Sequence, residues 1–436
     1  MFPVIDVYVD RSGDAKFYSD QSMLQRPVTK FICFDVRNIL QLGAPAHHVA
    51  LDVKMLYEHD GSLSSLVKSQ RVACKELFLE AERRLSTHAR ALSEAKVAVD
   101  DVPLSKLIPE NVLNDYMNLR VTAISELFAK LNSEKIERYE DLVWPVFLDI
   151  LKIEKARIKL DEKHIDSMLK RNDLAVHEAA FFRSAKGLLK DGFVRTKISP
   201  VGTKTARFRS EGGFHAQGIP HGVCRKSVVS RFEGGTIASI DFNAIDFHSL
   251  VSIVNDKNLN ETYGKSRDFH TVTARLFGDD VTHEMRDLAK KITYSDIYGS
   301  SHESLQKQTL LPMKKLVEML NILSPVFEPI TTFRKKLAEQ ARKDGFVITP
   351  GGLRVHVDRD DHDGKIVGLY AQTHSSYMFN KAVHAALTTL EILCAKSRLI
   401  FTVHDEVVFD VHPDEKDVVQ KLQAAMEEIT GFVVKI

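Results

Sequence analysis

Leu399-Ile-Phe-Thr-Val403-His404-Asp405-Glu406-Val407-Val-Phe-Asp-Val411 reads as two β-branched and aromatic runs joined by a tight polar turn, the pattern of a β-hairpin. The tip of such a hairpin projects its side chains past the sheet. Two acids and a histidine gathered there repel one another unless a counterion joins them, and a divalent, magnesium-type cation held by carboxylate oxygens is the natural candidate. A plain surface turn more often carries Asn-Gly or Asp-Gly. A second acid-tipped segment lies upstream, where the apolar run Gly235-Thr-Ile-Ala-Ser-Ile-Asp241 stops at an acid and hands over to a helical pattern running through Asp246 to Val254. Open sheets usually place ligands at strand ends, although Asp241 alone reads equally well as an N-cap for the helix that follows.

Between the two acids lies Glu284-Met-Arg286-Asp-Leu-Ala-Lys290-Lys-Ile-Thr-Tyr294-Ser-Asp-Ile-Tyr298-Gly299. Residues four apart drift by only about 40° around a helix, so Arg286, Lys290, Tyr294 and Tyr298 form one slanting stripe, and Gly299 supplies the stop. Two cations followed by two tyrosines suit a nucleoside triphosphate, with phosphates at the cationic end and sugar and base against the rings. A solvated amphipathic helix whose lysines touch nothing is the plainer alternative. The company of the two acids favours metal-assisted phosphoryl transfer.

The chain has 436 residues, enough for two to four modules on a sizeable core. Lys+Arg 60 against Asp+Glu 59 leaves a net charge of +1, so a polyanion would have to be held by a local basic patch. One candidate runs from Arg183 to Arg231, with eleven Lys/Arg against the acids Asp191 and Glu211. Cys33, Cys74, Cys224 and Cys394 are scattered without a C-x-x-C pair, which argues against a zinc ribbon and a secreted disulfide framework. No signal-peptide pattern and no membrane-length apolar run are present, so a cytoplasmic protein with no membrane partner is expected, in the host cytoplasm if viral. Residues 1 to about 60 read as a small α/β unit and about 62 to 190 as mostly helix, with a boundary near 135 to 140 and an α+β remainder.

In this order, the three elements resemble motifs A, B and C of the family A DNA polymerases, the group typified by bacterial DNA polymerase I. Thr205-Ala206-Arg207-Phe208 with Gln217-Gly-Ile219-Pro220 is similar to that family's T-G-R-L…N-L-Q-N-I-P stretch. Asp268-Phe-His270-Thr271 is similar to its D-I-H-T, and Leu142-Val-Trp-Pro-Val to Asp161 to its entry segment. The match covers roughly residues 140 to 415, and a set of motifs in order is far more specific than any one of them. The resemblance implies that Asp241 and Asp405 hold two catalytic metal ions, Mg2+ with Mn2+ able to substitute, and that Glu406 supports them. It implies that Arg286 and Lys290 grip the triphosphate, that Tyr294 stacks beside the incoming sugar and base, and that Tyr298 lies at the templating position. His270 and Asp246 join the nucleotide site, while Arg207, Gln217, Arg225, Gln372 and His404 contact primer-template DNA. The partners implied are primer-template DNA, dNTPs and a processivity or replication protein.

The expected architecture is therefore α+β: a right-hand polymerase fold behind a small degenerate exonuclease-like α/β domain. The 3′–5′ exonuclease-like domain would occupy 1–138 and the polymerase domain 139–436, with a much reduced thumb and entry helices at 139–200, palm at 201–255 and 345–436, and fingers at 256–344. Only about forty residues separate Asp161 from Thr205, which is why a shortened thumb and poor processivity are expected. Asp246 stands where the family has a Glu that excludes a 2′-hydroxyl, and Tyr294 where a Tyr is associated with dideoxynucleotide acceptance. In the N-terminal part, Tyr8 follows Asp6 where D-x-E would be wanted, and Asn118 and Arg120 stand where acids would be expected, so proofreading should be absent. A single-subunit RNA polymerase or primase, expected to lack an acid at 246, and a non-catalytic DNA-binding relative, expected to have lost an acid or the lysine, are the rivals. His356 to Gly364 imitates a calcium loop but reaches Leu369 at its twelfth position, so a solvated hairpin is expected.

Overall fold

The computed structural model describes four strands and scattered helical positions before residue 139, then residues 139 to 436 apart from 201, 202, 265 and 267. Two compact units divide at Pro145. In the first, β1 (Val4–Val9), β2 (Ala15–Ser19), β3 (Phe31–Cys33) and β4 (Val49–Asp52) form one sheet in the order β2-β1-β3-β4. The β1–β2 pair is antiparallel and the other two pairs are parallel. Arg120 and most of the helical reading over 62–138 lie outside the described residues.

The second unit begins in helix α1 (Trp144–Ala156), followed by β5 (Ile158–Lys159), α2 (Glu162–Leu169), α3 (Val176–Leu188), β6 (Phe193–Val194), β7 (Thr196–Ser199) and β8 (Arg209–Gly213). Strand β9 (Thr236–Phe242) leads into α4 (Ile245–Val254), α5 (Lys257–Tyr263), α6 (Phe269–Arg275), α7 (His283–Ile297), α8 (His302–Thr309) and α9 (Met313–Asp344). The chain closes with β10 (Phe346–Ile348), β11 (Arg354–His356), α10 (Asp363–Ile392), β12 (Arg398–Val403), β13 (Glu406–Val411), α11 (Val418–Thr430) and β14 (Val434–Lys435).

The organising layer is an antiparallel sheet in the order β12-β13-β9-β14. Alternation assigns its two faces. Val407 and Phe409 of β13, with Ile240 and Phe242 of β9, join a core with Phe379, Val383 and Leu387 of α10 and Leu422 and Met426 of α11. Val408 points the other way, into a core with Ile158, Ile165, Phe182, Phe214 and Ile219. In β12 the register slips between Leu399 and Phe401, so Ile400 and Phe401 both face that second core. A third core joins α4 to α10, where Phe247 stacks on Phe269 with ring centroids 3.8 Å apart.

Two local expectations are corrected. Asp241 does not cap the helix after it: the N-cap of α4 is Ala244, in a left-handed conformation at φ 54°, and Asp241 belongs to the strand. The stretch His356 to Gly364 is no hairpin but the end of β11, a turn, and the start of α10. His362 caps that helix by accepting from the Lys365 amide. The acids there serve helix initiation and pair with Lys365 and Arg342.

Candidate active site

Strand pairing builds the acidic centre. Glu406 lies opposite Asp241 in the β13–β9 register, and the Phe242 amide donates to the Asp405 carbonyl at 3.1 Å. Val403 pairs with Glu406, which leaves His404 and Asp405 as a two-residue turn with His404 at φ 50°. Two-residue hairpins need such a left-handed position, and the exposed His404 pays its steric cost while lifting Asp405 to the sheet rim. The three acids thus converge from a strand end and a hairpin tip.

Their electrostatics record the crowding. Burial pushes the Asp405 carboxyl up to about 6, with Asp246 and Asp241 adding to the rise against the pull of Arg207. Asp241 reaches solvent, yet loss of hydration and then the Glu406 charge raise it, opposed by Lys435 and Arg225. Glu406 behaves oppositely: burial works to raise it, but Arg225 donates to both its oxygens at 2.7 and 2.6 Å and holds it below the usual range. Arg207 spans two acids, with Nη2 3.0 and 3.1 Å from the Asp246 oxygens and 3.6 Å from Asp405 Oδ1.

Helix α7 supplies the cationic stripe. Thr282 caps its start by accepting from the Met285 amide, and Gly299, at φ 66°, follows its C-cap Tyr298. Arg286 makes a two-point contact with Asp268, the N-cap of α6, at 2.9 and 3.0 Å. Lys290 is exposed. The Tyr294 and Tyr298 rings are parallel within 4°, centroids 5.9 Å apart, and His270 lies 5.8 Å from Tyr294. Burial lowers His270 to about 4, and the charges of Lys290 and Arg286 add to that, so it stays neutral and its Nδ1 is without a partner. Burial, then the Asp246 charge, raises both phenols, which puts the tyrosine end of the stripe beside the acids. A cavity of about 490 Å3 runs along this flank, lined by Lys290, Lys291, Tyr294, Tyr298 and Gln308 among others.

The remaining expected residues divide. Gln372 is half-buried on α10, its backbone carbonyl accepts from the Ser376 hydroxyl, and the Ser375 hydroxyl lies 2.9 Å from the same oxygen. Gln217 turns inward: its amide donates to the Phe208 carbonyl and accepts from Ser210, both at 3.1 Å. Arg225 is committed to Glu406. Linear counting of the 183–231 segment overstates its free charge, because Lys186, Arg207, Arg209, Arg225 and Arg231 each meet a carboxylate, mostly delivered from other elements. Sequence reasoning missed Asp268 as the partner of Arg286 and Ser375 as a partner of Asp246; the Asp268-Phe-His270-Thr271 cap pattern was the available signal for the first, and none existed for the second.

Among the described residues no group of three or more His, Cys, Asp or Glu side chains is arranged to hold a metal ion. Asp241 and Asp405 are the two carboxylates at the strand end and the hairpin turn, and the Asp241 charge adds to the rise that burial and then Asp246 give Asp405. That donor set fits Mg2+, which prefers one or two carboxylates and completes its shell with waters and substrate phosphates.

These features fit an α+β polymerase fold, with acids on an antiparallel sheet and the tyrosine end of a cationic helix within range of Asp246. The chain belongs to DNA polymerase family A, which matches residues 125–436. It is similar to the DNA polymerase of Mycobacterium phage D29, 23% identical over 381 residues, covering 79% of this chain and 60% of that one. DNA polymerase I of Caldicellulosiruptor bescii is 22% identical over 397 residues, 84% of this chain and 46% of the relative. The chain therefore spans roughly half of the length of these relatives. A solved structure titled as the POL domain of Pol1 from M. smegmatis, in complex with DNA primer-template and dNTP, shares the fold at a TM-score of 0.70 and 15% identity, covering 98% of this chain and 92% of that one. Among the described residues no helix is long and apolar enough to cross a membrane.

Proposed function

We propose that this chain is a template-directed DNA polymerase that adds dNTPs to a primer 3′-hydroxyl. The observation that carries the reading is the register Glu406 opposite Asp241 with Asp405 at the adjoining turn, bridged to Asp246 by Arg207. In this reading Asp241 and Asp405 hold the divalent ions, a Mg2+ pair with Mn2+ as substitute, and Arg225 fixes Glu406 behind them. Bound ions of this kind lower the pKa of an attacking hydroxyl and clamp the phosphate and its leaving group. Lys290 and Arg286 neutralise charge on the β- and γ-phosphates, for which Arg286 exchanges its Asp268 contact or shares it. Tyr294 packs against the sugar and base, Tyr298 guards the templating position, and neutral His270 offers a ring N–H to phosphate oxygen. Arg207, Gln372 and His404 line the duplex track, while Gln217 braces the backbone at Phe208. Base pairing supplies sequence information, so the protein reads backbone and shape.

The part before residue 139 serves as a degenerate exonuclease-like scaffold without proofreading. With α2 and α3 as the helices between Asp161 and Thr205, grip on duplex is weak, and a processivity partner in the cytoplasm, host cytoplasm for a phage protein, completes it. Primer-template extension with Mg2+ tests the central reading. The parent is expected to extend with dNTPs, and Asp405→Ala to lose at least about a thousandfold in rate. Equal extension by parent and variant, or none by the parent, refutes it.

A further inference from the structure

Asp246 has two side-chain partners. Arg207 reaches both of its oxygens, and the Ser375 hydroxyl of α10 contacts Oδ1. Ser375 is 1% exposed, so its hydroxyl has no water to turn to. Its one proton has two acceptors in reach: the Asp246 carboxylate and, 2.9 Å away, the Gln372 carbonyl. Ser376 already donates to that same carbonyl at 2.7 Å. A charged acceptor forms the stronger bond, so the Ser375 proton goes to Asp246.

The division of labour between the two oxygens follows. Oδ1 accepts from both Ser375 and Arg207 Nη2, whereas among the described residues Oδ2 receives only the longer branch of that same Nη2 contact, and 20% of the Asp246 side chain remains open. Arg207 also lies 3.6 Å from Asp405 Oδ1, so without Ser375 the one remaining anchor among the described residues would be a guanidinium shared with a second acid. Ser375 comes from a helix of 30 residues and is an anchor independent of Arg207.

We propose that Ser375 is a positioning residue for sugar selection: it orients the Asp246 carboxylate toward the 2′ position of the incoming nucleotide. This rests on the reading of Asp246 as the residue that meets the sugar. A side chain one methylene shorter than Glu reaches less far, which makes its aim matter more.

The test is single-nucleotide insertion on a primer-template with Mg2+, measuring kcat and KM for a dNTP and its rNTP on the parent, Ser375→Ala, Ser375→Cys and Asp246→Ala. Ser375→Ala is expected to lower the dNTP/rNTP ratio of kcat/KM about tenfold, the scale of one charge-assisted hydrogen bond, through a smaller KM for the rNTP. Ser375→Cys keeps the volume with a weaker donor and falls between, which carries the test without a cavity. In an Asp246→Ala background, Ser375→Ala should change nothing further. A ratio within twofold of the parent in Ser375→Ala, while Asp246→Ala shifts it, overturns the role of Ser375 and leaves that of Asp246 standing. A ratio that Asp246→Ala does not move overturns both. Equal losses for dNTP and rNTP, or the same loss without Asp246, mark mere packing and overturn the proposal.

Discussion

Arg225→Ala probes the rim of the sheet through stability. Arg225 and Glu406 meet at 2.7 and 2.6 Å, with 23% and 15% of their side chains exposed. Removing one partner of a fully buried pair costs about 3–5 kcal/mol, because the remaining charge has lost both water and counterion. Here water can return to part of Glu406, so the expected loss is about 2 kcal/mol. Asp241, directly opposite, keeps that figure from falling further, since the orphaned carboxylate then faces a second negative charge. At about 2–4 °C per kcal/mol for a unit of this size, the melting temperature should drop by about 4–8 °C. The pH dependence has a definite sign. Burial tends to raise Glu406, Arg225 overcomes it, and the folded pKa ends below the ordinary 4.5. The stabilisation is therefore complete above 4.5 and is lost as pH falls through the lower folded value, so parent and variant should differ most near neutrality and converge in acid. Urea unfolding at pH 7 and pH 4, followed by circular dichroism, measures this, with Arg225→Ala/Glu406→Gln as the second arm. Neutralising Glu406 should recover most of the loss. A loss under about 0.5 kcal/mol, the size of an ordinary exposed pair, or no recovery with Gln, refutes the reasoning.

Three further outcomes follow from the site. Asp246→Glu should reduce ribonucleotide incorporation below the parent's level in primer extension, by about tenfold, since the longer acid reaches farther under the sugar; incorporation no higher in the parent counts against this. Tyr294→Phe should make the enzyme resistant to dideoxynucleotide termination, read from the ddNTP/dNTP ratio needed to halve full-length product, and a parent already resistant would contradict the assignment. The isolated protein should release short products at moderate salt, shortening further as salt rises because phosphate contacts are few; long products from the protein alone would show that the grip is sufficient.

What could be read before the fold was known is uneven, for physical reasons. The hairpin Leu399–Val411 and the strand that carries Asp241, one residue longer than its apolar run suggested, were legible because alternation and turn chemistry are local signals. So was helix α7, whose cap, stripe and terminal Gly299 all lie within eighteen residues of one another. The register that sets Glu406 against Asp241 was not legible, since no local property of either strand names its partner. The same holds for charge: Arg225 looked like one member of a basic stretch, and its carboxylate comes from a strand about 180 residues later. Ser375, a small polar residue inside a long helix, carried no signal at all until α10 was docked beside α4. The bulge in β12 likewise leaves Ile400 and Phe401 reading as ordinary alternation while both turn to one side.

Helix α10 enters one apolar core through Ile366, Val367, Tyr370 and Ala371 and another through Phe379, Ala382, Val383 and Ala386. At about 1.5 Å of rise per residue it is a beam roughly 45 Å long, shared by both. Neither compartment can melt without stripping one end of that beam of its packing, and an unsupported half-helix in water is marginal. Heat should therefore dissolve the two compartments in a single step, and damage at one end should be felt as lost rigidity at the other.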